Sequence, residues 1–173
     1  PADPKEAVRY YKMAIEKGNV CAMNNYAEML KRGNGIPADP KEAVRYYKMA
    51  IEKGSDYAMN GYGQMLLDGM GIPTDYKEAL RYFKMAIEKG NPDAMYNYAV
   101  MLKNGEGIPT DKKEGVRYYK MAIEKGQVDA MNGYANSLRN GDGIPTDKKE
   151  AVRYYKMAIE KGNPDAMYNY AVM

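Results

Sequence analysis

Apolar residues recur along the chain in two alternating helical patterns. Over residues 3–18, Ala7, Val8, Tyr10, Tyr11, Ala14 and Ile15 share one face at 3.6-residue spacing, while Lys5, Arg9, Lys12 and Glu16 share the other. Asp3 stands at the N-cap, Glu6 follows at capping-box spacing, Pro4 occupies the first helical position and Gly18 supplies the stop. This pattern predicts a helix, termed B. Residues 19–32 predict a second helix, A, with Ala22, Met23, Tyr26, Ala27, Met29 and Leu30 on its apolar face. Asn19 is its cap; Asn91-Pro92 and Asn163-Pro164 are stronger versions in later copies, and Gln127 is a weaker one that predicts fraying. Helix A ends at Gly33, and the link Gly33-Asn34-Gly35-Ile36-Pro37 leads to the next Asp. Ile36, Ile72, Ile108 and Ile144 are predicted to plug these links into the core.

The same elements repeat. The run DPKEAVRYYKMAIEKG spans Asp3–Gly18 and Asp39–Gly54 unchanged, and returns edited at 75–90, 111–126 and 147–162, always 36 residues on. A fixed period of that length specifies an array of supersecondary units, each burying its apolar face against its neighbours. The prediction is an all-α solenoid of helix-turn-helix repeats with ten helices, forming a single repeat array over 1–173. Residues 1–18 are helix B of a preceding unit; 19–54, 55–90, 91–126 and 127–162 are complete units; 163–173 are helix A of a following unit. Asn91–Met101 and Asn163–Met173 are identical. Neither end carries a polar capping element, so a longer array or a head-to-tail contact between copies is expected, the latter restoring the repeat phase apart from one loop.

Composition narrows the function classes. With 26 basic and 23 acidic residues the net charge is +3, too small to advertise nucleic acid. No apolar run is long enough to span a bilayer, so no membrane insertion is expected; the compartment stays open, with a lean to a soluble intracellular setting. Cys21 is the only cysteine, which excludes an intrachain disulfide. There is no histidine, which removes the imidazole acid–base group and the commonest metal ligand. Carboxylate pairs such as Glu160 and Asp165 recur with the repeat and mark no unique pocket. The reading is therefore a non-enzyme with no catalytic residue, metal or cofactor.

The order Ala22…Tyr26-Ala27…Leu30…Gly33-x-Gly35-Ile36-Pro37-x-Asp39…Lys41-Glu42-Ala43…Tyr46-Tyr47-Lys48…Ala50…Gly54 resembles the Sel-one-like repeat (SLR) family, relatives of the tetratricopeptide repeat. The resemblance covers essentially the whole chain. It departs at Tyr46, where the family often has Trp, and at Ile51, where it often has Ala. It implies a right-handed superhelix of antiparallel helix pairs with A helices on the concave wall, and a scaffold or adaptor role in protein complexes. A cysteine-rich bacterial branch linked to β-lactams staples its units with paired cysteines; this chain, with Cys21 alone, fits that branch poorly.

Comparing copies with one another singles out one surface. Ala22, Met23 and Tyr26 are the same in all copies of helix A, whereas the opposite face changes freely. Its positions read Cys21, Tyr57, Asp93, Asp129, Asp165; Asn24, Asn60, Tyr96, Asn132, Tyr168; Glu28, Gln64, Val100, Asn136, Val172; Lys31, Leu67, Lys103, Arg139; and Arg32, Asp68, Asn104, Asn140. On helix B the exposed Arg9, Lys12, Glu16 and Lys17 do not change at all. The contrast nominates the A face as a wall that binds a protein or peptide, through Asn24, Glu28, Lys31, Arg32, Tyr57, Asn60, Gln64, Leu67, Asp68, Asp93, Tyr96, Val100, Lys103, Asp129, Asn132, Asn136 and Arg139. Lys31 and Arg32 suit an acidic group, Tyr57, Leu67, Tyr96 and Val100 are apolar anchors, and the asparagines suit an extended backbone. Drift at solvent positions is the competing account. Gly61 and Gly133, mid-helix, read as tolerated glycines or as places of close backbone approach. The methionines mostly sit on the buried stripe, and the lysine-rich B face reads as solvated.

Overall fold

The computed structural model describes residues 3–173, and every regular element among them is an α-helix. The chain divides into two compact units, Pro1–Asn91 and Pro92–Met173. The first holds α1 (Pro4–Glu16), α2 (Val20–Arg32), α3 (Pro40–Glu52), α4 (Asp56–Asp68) and α5 (Tyr76–Glu88). The second holds α6 (Pro92–Asn104), α7 (Lys112–Glu124), α8 (Val128–Asn140), α9 (Lys148–Glu160) and α10 (Pro164–Ala171). Odd-numbered helices are B and even-numbered ones A. In each unit an A helix packs more extensively on the B helix that follows it than on the one before it: α2 on α3, α4 on α5, α8 on α9.

Small residues make that pairing close. Ala27, Ala99 and Ala135 of the A helices and Ala43, Ala79 and Ala151 of the B helices are fully buried. Where glycine replaces them the gap can be measured. A Cβ added at Gly63 would stand 2.9 Å from the Phe83 ring and 3.3 Å from the Ala79 carbonyl oxygen; one at Gly115 would stand 3.1 Å from the Ala99 carbonyl oxygen. Tyrosines fill the wider space alongside. Tyr26 meets Tyr46 edge-to-face with centroids 4.9 Å apart; Tyr62–Tyr82, Tyr98–Tyr118 and Tyr134–Tyr154 repeat the contact at 4.9, 4.7 and 4.7 Å.

The helix ends follow local chemistry. Asp39 accepts the Glu42 N–H at 3.0 Å, and Asp75, Asp111 and Asp147 accept the equivalent bond at 2.9 Å. The capping box is only half built, because Glu42 turns away to pair with Arg45 (2.6 Å). Gln127, predicted to cap weakly, caps fully: its Oε1 accepts the Ala130 N–H at 2.8 Å, while its Nε2 is steadied by Asp93 and Asp129, each 3.2 Å away. A helices end on left-handed glycines such as Gly33 (φ 70°). The link then returns so that the Asp39 N–H donates to the Leu30 carbonyl at 2.9 Å. The loop isoleucines are half-buried rather than core plugs, since the links run over the surface.

The unchanging outer face of helix B has an internal cause. Glu42 pairs with Arg45, whose guanidinium lies 4.6 Å from the centre of the Tyr46 ring, and Lys48 reaches over Tyr62, one repeat on, at 5.3 Å. Glu78–Arg81–Tyr82, Glu114–Arg117–Tyr118 and Glu150–Arg153–Tyr154 repeat the first part, and Lys120 over Tyr134 the second. The Arg9 and Lys12 positions therefore have an intramolecular role, covering tyrosine rings, which weakens the contrast between the two faces as a pointer to a ligand; the equally constant Glu16 and Lys17 positions cover no ring among the described residues.

Gly61 and Gly133 are required, not merely tolerated. A Cβ at Gly61 would fall 2.6–2.9 Å from the Tyr47 ring and hydroxyl, and one at Gly133 2.8–3.2 Å from those of Tyr119. Both rings are buried and have nowhere to move. Helix propensity alone predicts that Gly→Ala stabilises by about 1 kcal/mol, but overpacking costs about 1–3 kcal/mol. Gly61→Ala is therefore expected to lower stability by about 1 kcal/mol in urea unfolding, against the gain that propensity predicts.

Candidate functional site

The A-helix face was nominated as a row of side chains waiting for a partner. In the first unit much of it is already engaged. Glu28 sits at the centre: Lys31 Nζ lies 2.8 Å from its carboxylate, Arg32 Nε bonds its other oxygen, and the Tyr47 hydroxyl donates to Oε2 at 2.6 Å. Lys31 also donates to Gln64 Oε1 at 3.4 Å and is only 8% exposed. The expectation that Lys31 and Arg32 offer themselves to an acidic ligand is corrected: Glu28 of their own helix occupies both, and Lys31 is buried. Burial alone would raise the Glu28 pKa, but the hydrogen bonds from Lys31 and Tyr47 outweigh it and hold the carboxyl below its ordinary value. Burial, with the Glu28 carboxylate beside it, pushes the Tyr47 phenol well up. Asn24 donates to Ser55 Oγ at 2.8 Å, tying the α2 face to the start of α4.

Toward solvent in the first unit stand Cys21 and Arg32 of α2, the latter exposed although bonded to Glu28, and a larger patch on α4. Tyr57 is 62% exposed and Asp68 is exposed, while Asn60, Gln64 and Leu67 are half-buried along the same face. Leu67 is thus a partly covered anchor, not a free one.

The second unit is knitted in the same way. Asn163 Nδ2 donates to Asp129 Oδ1 at 2.7 Å, and Gln127 Nε2 to Asp93 Oδ1 at 3.2 Å, so each cap residue holds a carboxylate of the A helix before it. Asn132 accepts from Asn169 at 3.0 Å, Asn136 accepts from the Tyr155 hydroxyl at 2.7 Å, and Arg139 donates to the Asn169 carbonyl at 3.3 Å. Lys103 faces Asp142 at 3.8 Å, with Lys112 closer at 2.7 Å. Val100 is half-buried. Tyr96, expected on the solvent side without an intramolecular reason, has one: its half-buried ring lies 6.0 Å from that of Tyr119. Burial, then Asp129 and Asp165, raises the Tyr96 pKa.

The pattern of variation had pointed to exposed positions, and it missed that these residues bond from one repeat to the next. The signal was in the period itself: Asn132 and Asn169 stand one repeat and one residue apart, close to the 36-residue step that brings adjacent A helices side by side. Among the described residues no group of three Cys, Asp or Glu is placed to hold a metal ion, and no helix is long and apolar enough to cross a membrane.

The Sel1 repeat model matches residues 1–19, 22–55, 56–91, 92–127 and 128–163. The chain belongs to the Sel1 repeat family. Sel1 repeat proteins are generally non-enzymatic scaffolds that mediate protein–protein interaction. Among solved structures, a Sel1 repeat protein from Oxalobacter formigenes is 31% identical, with a TM-score of 0.85 over 94% of this chain and 65% of that one. A protective antigen of uropathogenic Escherichia coli with an SLR fold is 26% identical, TM-score 0.78, over 98% of this chain and 36% of that one. This chain thus spans less than two thirds of either relative. Cysteine rich protein B of Helicobacter pylori shares the fold at 21% identity, TM-score 0.58, over 73% of this chain and 91% of that one. No curated protein matches the chain. The fold is the helical-repeat solenoid of the Sel1 relatives.

The Glu28 cluster makes a pH prediction. A carboxyl whose folded pKa lies below its unfolded value stabilises the fold above that value, 4.5 for glutamate, and loses the contribution as pH falls through the folded value. Glu28→Gln is expected to cost about 1 kcal/mol at pH 7, a modest sum because the carboxylate is partly exposed. The gap to the unsubstituted chain should close as unfolding is measured at successively lower pH.

Proposed function

We infer that this Sel1 repeat chain is a protein-binding scaffold that holds a peptide segment or partner protein against its A-helix face. The observation that carries this reading is Tyr57: a large aromatic side chain, 62% exposed, on the face that differs between repeats, with half-buried Asn60, Gln64 and Leu67 and exposed Asp68 around it. An aromatic anchor that can be desolvated within a polar rim is the composition of an interface centre. The family's general role in protein–protein interaction supports the same reading. The neighbouring Glu28 cluster serves it as a rigid floor, since Lys31, Arg32 and Tyr47 hold one another in place before any partner arrives.

The lysine-rich B face is a poor track for nucleic acid. Arg45, Arg81, Arg117 and Arg153 each pair with a glutamate three residues earlier, and Lys48 and Lys120 lie over tyrosine rings.

Selection of peptides from a displayed library on the immobilised chain tests the proposal. Tyr57→Ala and Leu67→Asp are expected to weaken the selected binders at least tenfold, with cooperative melting retained. Lys53→Ala, at the end of α3, should leave binding unchanged. Binders indifferent to both A-face changes, or equally sensitive to Lys53→Ala, overturn the assignment.

A further inference from the structure

Five Asn-Gly sequences occur in the chain, at Asn34, Asn60, Asn104, Asn132 and Asn140. Glycine has no side chain to hinder its backbone nitrogen, which can attack the carboxamide carbon of the asparagine before it. That attack needs a glycine N–H not already donating, and an asparagine side chain able to swing onto it. The fold withholds the first at four of the five sites. Gly61 and Gly133 lie inside α4 and α8, where the helical ladder takes their N–H groups. Gly105 donates to the Met101 carbonyl at 2.8 Å, and Gly141 to that of Ser137 at 2.9 Å. At these two helix ends the asparagine side chains are held as well. Asn104 Nδ2 donates to Glu106 at 2.9 Å, and Asn140 Oδ1 accepts from Arg139 at 3.1 Å.

Asn34 differs on each count. It is exposed in the link between α2 and α3. Its own N–H is anchored to the Met29 carbonyl at 3.2 Å, but its side chain has no partner among the described residues, and neither has the Gly35 N–H. We propose that Asn34 is a self-modification site, converting to aspartate and isoaspartate through a cyclic imide with Gly35. The Gly35 nitrogen bonds to Asn34 Cγ, the Cγ–NH2 bond breaks, and the amide proton of Gly35 leaves with the NH2 group as ammonia. Water then opens the imide. Attack at Cγ gives aspartate; attack at the main-chain carbonyl carbon gives isoaspartate, in which the main chain runs through Cγ. Both products carry a negative charge that the sequence does not encode.

A carboxylate is native to this place in other links. Asp142 stands there between α8 and α9, 2.7 Å from Lys112 Nζ, and Glu106 between α6 and α7. The aspartate form therefore suits the link. Isoaspartate adds a main-chain carbon where space is tight: a Cβ on Gly35 would stand 2.4 Å from Pro4 Cγ, and the link must still return the Asp39 N–H to the Leu30 carbonyl at 2.9 Å. That form is expected to loosen the seating of α1 on the first link.

Peptide mapping by mass spectrometry tests the proposal on the full chain, incubated at mildly alkaline pH and sampled over days. The Asn34 peptide is expected to gain about one dalton roughly tenfold faster than the peptides holding the other four Asn-Gly pairs, and to become a substrate for protein isoaspartate methyltransferase. In urea that unfolds the chain, all five should convert at similar rates, since the distinction lies in the fold. Asn34→Gln, at an exposed position that spares the fold as thermal melting would verify, should abolish the fast conversion and leave the slow ones unchanged. An Asn34 that stays intact, another pair converting as fast in the folded chain, or an Asn34 that remains the outlier in urea overturns the assignment.

Discussion

Two helix backbones in each repeat come so near that only a hydrogen atom or a methyl group fits between them. The Ala99 carbonyl lies 3.1 Å from where a Cβ on Gly115 would stand, and Ala27, Ala43, Ala79, Ala135 and Ala151 occupy the corresponding buried places. Ridges of small residues bring helix axes together and set which larger side chains meet beside the crossing. From that proximity follow the edge-to-face tyrosine pairs, and from those the cations laid over the rings. Enlarging one alanine would therefore disturb a layered arrangement rather than a single contact.

The same closeness explains why polar residues on the A face bond between repeats instead of standing free. With adjacent A helices side by side at a 36-residue step, side chains at matching positions fall within hydrogen-bonding reach. Asn163 holds Asp129, Gln127 holds Asp93, Asn169 holds Asn132, and Lys31 reaches Gln64. A face of this kind is preorganised. A partner meeting it need not order long flexible side chains, and the ordering cost of association falls accordingly. Tyr57 projects from this lattice, 62% exposed, and is the side chain on which the proposed recognition rests.

The tyrosine of helix B shows how one side chain is treated differently by its surroundings. Tyr47 gives its hydroxyl to Glu28, Tyr155 gives it to Asn136, and Tyr119, whose repeat carries Val100 at that place, faces the ring of Tyr96. Tyr47 and Tyr119 lie against glycines, Gly61 and Gly133, whereas the corresponding residue beside Tyr155 is Asn169. The changes between copies thus record local repacking around a constant ring as well as exposure to solvent.

From the order of residues alone came the repeat, its helix pairs, their caps and the buried stripes, because each is a short-range matter of periodicity and end chemistry: Asp39, Ala43, Tyr46 and Gly54 declare their roles within one turn or one link. The tertiary structure decided which polar residues were already spoken for. Lys31, Asp93, Asp129 and Asn132 read as free because their partners lie in other helices or, for Glu28 beside Lys31, become decisive only once burial strengthens the pairing. Gly61 read as either tolerated or a place of close backbone approach, and the side chain that requires it, the Tyr47 ring, sits one helix away. Pairings of that kind depend on distances between helices, and those are set by packing, which no single stretch of the chain contains.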